Sequence, residues 1–211
     1  MSQVVPVTWK RISDATSYAE SLLVGDRVRL RGLAEADLPT LESWWYDPAV
    51  QVFQTAQIRA GLPAGTEAQF RTWSENTGPG AVGFCVEQRS DGVLAGHVAL
   101  FGANGKDRAA TFGIVMGPDF QNQGLGSQAC QLMVDYGFAE LGLNRIGLRV
   151  YAFNDRAIAA YRRAGFVEEG RVRQFVFHDG AFHDEVLMGI LAGEWRASRS
   201  GPVADTPGQG S

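Results

Sequence analysis

The chain has 211 residues, of which 45% are hydrophobic and 20% charged, with a formal net charge of −4. That length can bury one substantial core, and the mildly acidic balance with scattered basic residues argues against a nucleic-acid footprint. No run of about 18 apolar residues suggests a membrane span, and the opening MSQVVPVTWKRISD lacks the apolar heart of a signal peptide.

Residues 1–24 read as a leader, with a short helix starting near Ser13 that sets Ala15, Tyr18, Ala19 and Leu22 on one side. The folded domain is expected over 25–195. Its first strand, Asp26–Leu33, alternates Val28 and Leu30 with Arg27, Arg29 and Arg31. A helix follows over Asp37–Tyr46, where Pro39 is tolerated in the first turn. Pro48–Gly65 shows no assignable pattern, and Glu67–Asn76 is predicted helical. Ala81–Gln88 and Val93–Phe101 read as a hairpin turned at Ser90-Asp91-Gly92. Ala110–Met116 is a further strand. Gly124–Leu141 is a helix whose buried face is Leu125, Ala129, Leu132, Met133 and Tyr136.

Arg145–Tyr151 alternates Ile146, Leu148 and Val150 as a strand does. Asp155–Arg163 is a helix, with Asn154 as its cap and Gly165 just past its end. Two strands close the domain, Arg171–His178 and His183–Leu191, turned at Asp179-Gly180. Residues 196–211 are small, polar and rich in Gly and Pro, and are expected to be a flexible tail. Strand runs at both ends with strand–helix–strand units between them predict an α+β domain around one mixed sheet. Cys85 and Cys130 match no metal-ligand spacing and are expected as free thiols in the cytoplasm.

The segment PDFQNQGLGSQAC, Pro118–Cys130, admits three readings. Its glycines could simply relieve crowding in a loop. Gly124-Leu125-Gly126-Ser127-Gln128-Ala129 also fits the dinucleotide pattern G-x-G-x-x-A, but seven residues separate Met116 from Gly124, where that fingerprint follows its strand almost directly. Third, a loop entering a helix N-terminus offers free N–H groups and a positive dipole end to a phosphate. The spacing Gln121-x-x-Gly124-x-Gly126 resembles the Q/R-x-x-G-x-G/A segment of the GNAT superfamily of N-acetyltransferases.

The resemblance extends beyond that segment. TFGIVMGPDFQNQGLGSQA is similar to a strand and helix of the branch holding ribosomal-protein N-terminal and spermidine acetyltransferases. RIGLRVYAFNDRAIAAYRRAGFVEEG resembles the next strand and helix, with that branch's N-x-x-A-x-x-x-Y-x-x-x-G-F signature. HDGAFHDEVLMGIL resembles its closing hairpin, and LRGLAEADLPTLESWWYDPAV its first strand and helix. The likeness implies one GNAT-like domain. Its sheet would be mixed, largely antiparallel and twisted, with about six to seven strands splayed between the fourth and fifth and about four flanking helices.

It also implies acetyl-CoA as cosubstrate, no metal, and direct attack by a primary amine. The backbone of Ile114, Val115 and Met116 would pair with the pantetheine arm. Gln121, Asn122, Gln123 and Gly124 would hold the pyrophosphate together with Leu125, Gly126 and Ser127. Asn154 and Ala157 would orient the cosubstrate, and Tyr161 would protonate the departing thiolate. Asn154 and Tyr161 stand seven residues apart, on one side of their helix. The acceptor would be a protein N-terminus, a polyamine, an amino sugar or antibiotic, or a small metabolite. It would meet Trp44, Trp45, Tyr46, Phe53 and Glu87.

Relatives often carry Glu where this chain has Thr111, so the deprotonating group is open among Glu87, His97, Asp119 and a water chain. His183-Asp184-Glu185 admits a metal or relay reading and a structural one. Two alternatives stand beside the acetyltransferase: a larger acyl donor, and a non-catalytic acyl-CoA-binding module. A homodimer is expected on family analogy, with no nucleic-acid or membrane partner.

Overall fold

A computed structural model describes residues 9–59 and 65–199. The start of the expected leader, part of the unassigned 48–65 stretch and the tail from 200 onward lie outside the described residues.

The strands are β1 (Val28–Arg31), β2 (Ala81–Gln88), β3 (Leu94–Phe101), β4 (Ala109–Met116), β5 (Arg145–Tyr151), β6 (Val167–His178) and β7 (Ala181–Leu191). They form one open seven-stranded sheet in the order β1-β2-β3-β4-β5-β7-β6. Every neighbouring pair is antiparallel except β4 and β5, which run parallel through only Ala109↔Arg145, Ala110↔Ile146 and Thr111↔Gly147. Beyond that point β4 follows β3 as far as Gly96↔Met116, and β5 follows β7 as far as Tyr151↔Glu185. The expected splay is therefore present, and it leaves one edge of each strand without a strand partner. At the β6–β7 turn, Asp179 and Gly180 take φ of 49° and 73°, the left-handed pair that an Asp-Gly hairpin turn requires.

The described residues hold seven α-helices, more than the four expected: α1 (Ile12–Ser21), α2 (Leu38–Trp45), α3 (Pro48–Gln54), α4 (Thr66–Trp73), α5 (Leu125–Ala139), α6 (Asp155–Arg163) and α7 (Ala192–Arg199). The Asp14 carboxylate closes the first turn of α1 by accepting from the N–H groups of Lys10 and Arg11, each at 3.1 Å. The helix α3 begins with Asp47 accepting from Ala49 N–H at 2.8 Å and Pro48 in the first position, a cap pattern readable in the sequence. In α7, Trp195 packs on Phe138 and donates its indole N–H to Asp135 at 2.7 Å. Residues 196–199, expected as the start of the tail, are thus helix.

The helices α5 and α6 cover one face of the sheet. Leu125, Ala129 and Met133 are sealed there against Phe112, Ile146 and Leu148 in the main core. The helices α2 and α4 cover the β2–β3 part of the other face, where Leu38, Leu41 and Phe70 meet Cys85 in a smaller cluster.

Candidate active site

The splay opens into a cavity of about 290 Å³. Its floor is β4, where alternate residues turn their carbonyls away from β3 and toward the gap. Ile114 O accepts from the Gln54 side-chain amide at 2.7 Å, and Met116 O from that of Gln121 at 3.3 Å. These carbonyls already take amide donors, which is the group a pantetheine arm would bring.

Above β4 the chain passes a 3₁₀ turn, Pro118–Phe120, and reaches α5 through Gly124 at φ 79°. No side chain caps α5, so its first-turn N–H groups remain available to an anion. The loop is pinned at several points. Arg27 donates to Gln123 O, while Arg156 donates to Asn122 Oδ1 and Gln121 Oε1 at 3.0 Å each. Among the described residues no acidic side chain lines this cavity, but Arg156 and Arg163 do, so its charge suits a pyrophosphate.

On the far wall Asn154 caps α6, its Oδ1 accepting from Ala157 N–H at 3.2 Å. Two turns on, Tyr161 packs edge-on to Phe112 and Phe166 and reaches the cavity. Burial, reinforced by Cys130, pushes its phenol above the ordinary value, so it holds its proton at neutral pH.

Ten of the cosubstrate candidates share this cavity: Ile114, Met116, Gln121, Asn122, Gly124, Gly126, Ser127, Asn154, Ala157 and Tyr161. Three do not line it. Val115 alternates to the other face of the sheet and is buried there, Leu125 is sealed in the core, and Gln123 turns its amide to Asp119 O at 2.6 Å.

The expected acceptor residues scatter. Phe53 lines the cavity, but Trp44 lies flat on Gly117 and edge-on to Phe120. Trp45 packs on Phe70 and Trp73, and Tyr46 accepts from Thr66 Oγ1 at 3.2 Å. Glu87 accepts from Arg29 and Arg31, each at 2.6 Å, so both its oxygens are occupied. His97 is sealed beneath Phe70 and Trp73, bonded to Ser74 Oγ at 2.7 Å, and burial pushes its pKa down to about 4. Asp119 is exposed on the 3₁₀ turn. None of these three base candidates lines the cavity.

Both cysteines are free and buried, and burial pushes Cys85 up to about 12 and Cys130 higher still, so neither offers a thiolate. Among the described residues no cluster of His, Cys, Asp or Glu could hold a metal, and no helix is long and apolar enough to cross a membrane. Sequence reasoning missed Gln54, Arg156 and Arg163. Arg156 was findable, since it lies two residues past Asn154 on the same helix start.

An open sheet with one short parallel contact, and an uncapped helix start beside the gap, is an architecture for holding a phosphate-bearing cosubstrate by backbone. The family model for the acetyltransferase (GNAT) domain matches residues 27–167, and the chain belongs to that family. It is 32% identical over 109 residues to the putative ribosomal N-acetyltransferase YdaF of Bacillus subtilis, covering 52% of this chain and 60% of that protein. It is 36% identical over 119 residues to the spermidine N(1)-acetyltransferase of Escherichia coli K12, covering 56% and 61%. The chain thus matches about three-fifths of the length of these curated relatives. A solved spermidine N-acetyltransferase from Vibrio cholerae, in complex with CoA and spermine, superposes with a TM-score of 0.71 at 26% identity, over 82% of this chain and 99% of that one.

Proposed function

We propose that this chain is an acetyl-CoA-dependent N-acetyltransferase that acts on a primary amine. The observation that carries this reading is the convergence, on one cavity, of β4 carbonyls held only by side-chain amides, an uncapped α5 start and a protonated Tyr161. Bound there, the thioester supplies an activated acetyl carbon. The amine nitrogen bonds to that carbon, the carbon–sulfur bond breaks, and the amine gives up a proton.

Each part of the chain then has a task. The α5 N-terminus with Arg156 and Arg163 balances the pyrophosphate charge. Ile114 and Met116 hold the pantetheine arm once Gln54 and Gln121 release their carbonyls. Tyr161 gives its proton to the thiolate, since a phenol raised above its usual value remains a donor at pH 7.

Among the described residues no acidic or imidazole side chain lines the cavity, which favours deprotonation of the amine by solvent. The rate should therefore rise with pH up to the pKa of the acceptor itself. Changing to an amine of lower pKa should move the inflection with it. An inflection that stays put across acceptors would reveal an enzyme-borne base.

The decisive assay is release of free thiol from acetyl-CoA across a panel of amines, alongside calorimetric binding of CoA. Thiol release with at least one amine supports the reading. Tight CoA binding with no release from acetyl-, propionyl- or succinyl-CoA would leave only a binding module.

A further inference from the structure

The part of β4 that β5 leaves behind turns carbonyls into a partly enclosed cavity, where a carbonyl left unpaired is costly. Two glutamine side chains meet that need. Gln54 donates to Ile114 O at 2.7 Å, and Gln121 to Met116 O at 3.3 Å. A carboxamide offers the same N–H donor as the amides of a pantetheine arm. Both carbonyls are thus occupied by groups of the chain itself that imitate the cosubstrate.

Gln54 ends α3, and the position of that helix makes the contact a bridge. Val50, Phe53 and Gln54, at i, i+3 and i+4, turn one side of α3 to the cavity. Gln54 reaches β4 on one wall, and Phe53 reaches the other. The Phe53 ring lies 6.1 Å from that of Phe153, just past β5, and 5.7 Å from the Arg156 guanidinium on α6. The helix does not depend on this bridge for its own fold. Val50 is buried, and Gln51 secures the departing chain by accepting from Arg59 N–H at 2.6 Å and donating to Arg59 O at 3.3 Å. Gln54 is exposed at the helix end, so its side chain can swing away without breaking a turn.

The two glutamines are also joined to each other. Arg156 donates to Gln121 Oε1 and Asn122 Oδ1 at 3.0 Å each while it lies over Phe53. Contacts therefore run from Ile114 O through Gln54, Phe53, Arg156 and Gln121 to Met116 O. A cosubstrate would compete for both ends and for the middle. Pantetheine amides take the carbonyls, and a phosphate takes guanidinium donors in preference to neutral amide oxygens, because that bond joins opposite charges. Drawing Arg156 onto the pyrophosphate loosens its hold on Gln121 and on Phe53 together.

We propose that α3 is a latch on the empty site, closed by Gln54 on Ile114 O and opened by the cosubstrate; the inference rests on the N-acetyltransferase reading above. Gln54 is an internal competitor for the pantetheine seat. Part of the binding free energy goes into releasing it, and α3 leaves β4 as the cosubstrate enters.

The test reads hydrogen exchange and calorimetric CoA affinity, neither of which needs turnover. CoA should slow exchange over residues 114–127 and speed it in α3, the reverse of what a ligand does to a segment it touches. Gln54→Met keeps the side-chain length and loses the donor. It should tighten the CoA Kd about three- to tenfold, the net worth of one hydrogen bond. Its α3 should exchange, without ligand, as fast as that of the wild-type complex. The wild-type exchange reads the latch even where the variant folds poorly. CoA that slows α3, or a Kd for folded Gln54→Met equal to or weaker than wild type, overturns the proposal. Absence of any CoA binding overturns the N-acetyltransferase reading and the latch with it, so the two failures are told apart.

Discussion

The two faces of the sheet are stabilised by different means. Under α5 and α6 the contacts are apolar and continuous, and the polar groups belong to main chain and caps that a ligand can reach. Under α2 and α4 the interior holds a network of charge. Arg31 bridges Asp37 and Glu87, Arg29 joins Glu87, and the Cys85 thiol donates to Asp37 at 3.4 Å. Beside it lies the His97–Ser74 pair. The first face binds because its polar groups are left over; the part of the second under α2 and α4 is inert because its polar groups are spent. Residue type alone would have ranked them the other way, since the second face holds the His, Cys and carboxylates.

The largest effect that tests this contrast is expected from Tyr161→Phe. The ring keeps its packing on Phe112 and Phe166 and only the hydroxyl is lost. Loss of a general acid should lower kcat by about 100- to 1,000-fold. CoA affinity should stay within twofold, and steady-state rates with calorimetry check both. An unchanged kcat would remove the phenol from the mechanism.

Next comes Glu87→Gln on the opposite face. Glu87 is 6% exposed and receives both Arg29 and Arg31. Removing its charge leaves Arg29 without this partner and Arg31 with Asp37, and breaking a buried pair typically costs about 3–5 kcal/mol. Arg29 is half exposed, so the low end of that range is expected, read as a fall in the urea midpoint. The folded fraction should retain wild-type kcat. If kcat fell and stability did not, Glu87 would belong to the chemistry after all.

Acid should act on the same network. His97 titrates near 4 when folded and near 6.5 when unfolded, because burial disfavours its cation. Below about pH 6.5 the unfolded chain therefore gains a proton that the folded chain refuses, and stability falls until about pH 4. One such group accounts for about 3 kcal/mol across that window. Asp37, held below the usual carboxylate range by Arg31, adds a further loss as pH drops through its folded pKa. Urea titrations at pH 7 and pH 4.5 measure the slope, and His97→Gln should flatten it above pH 4.5.

Much of the apolar face was legible in the sequence, because its determinants are local. Gln121, Gly124 and Gly126 lie on one loop and the helix start it leads into, Asn154 and Tyr161 on one helix and its cap, and short spacing brings each set together. Even the Asp-Gly turn of the last hairpin announced itself. The charged face was not legible. Strand alternation places Cys85, Glu87 and His97 on one side of the β2–β3 hairpin, but it is silent about what lies over them. Only the fold reveals that Phe70 and Trp73 seal His97 and that Arg29 and Arg31 reach Glu87 from β1. For the same reason Trp44, Trp45 and Tyr46 looked like pocket walls when their partners lay in other elements. The helix α3 was overlooked although Asp47-Pro48 carries a cap signal, because its seven residues are too few for periodicity to show.

The smallest expected effect separates structure from binding within one residue. Asn154 is 9% exposed, caps α6 and lines the cosubstrate cavity. Loss of a cap costs about 1 kcal/mol, and that loss should appear in Asn154→Ala without any ligand present. Asn154→Asp keeps the cap, because a carboxylate accepts from the Ala157 N–H as an amide oxygen does, and it suits the helix N-terminus. It also places a negative charge in a cavity whose charged lining is Arg156 and Arg163. If Asn154 only caps, Asp should match wild type in both stability and CoA affinity. If it also touches the cosubstrate, Asp should restore stability and still weaken CoA binding several-fold. Thermal melts with and without CoA distinguish the two outcomes, since a ligand that binds only the folded state raises the midpoint by an amount that grows with the logarithm of its affinity.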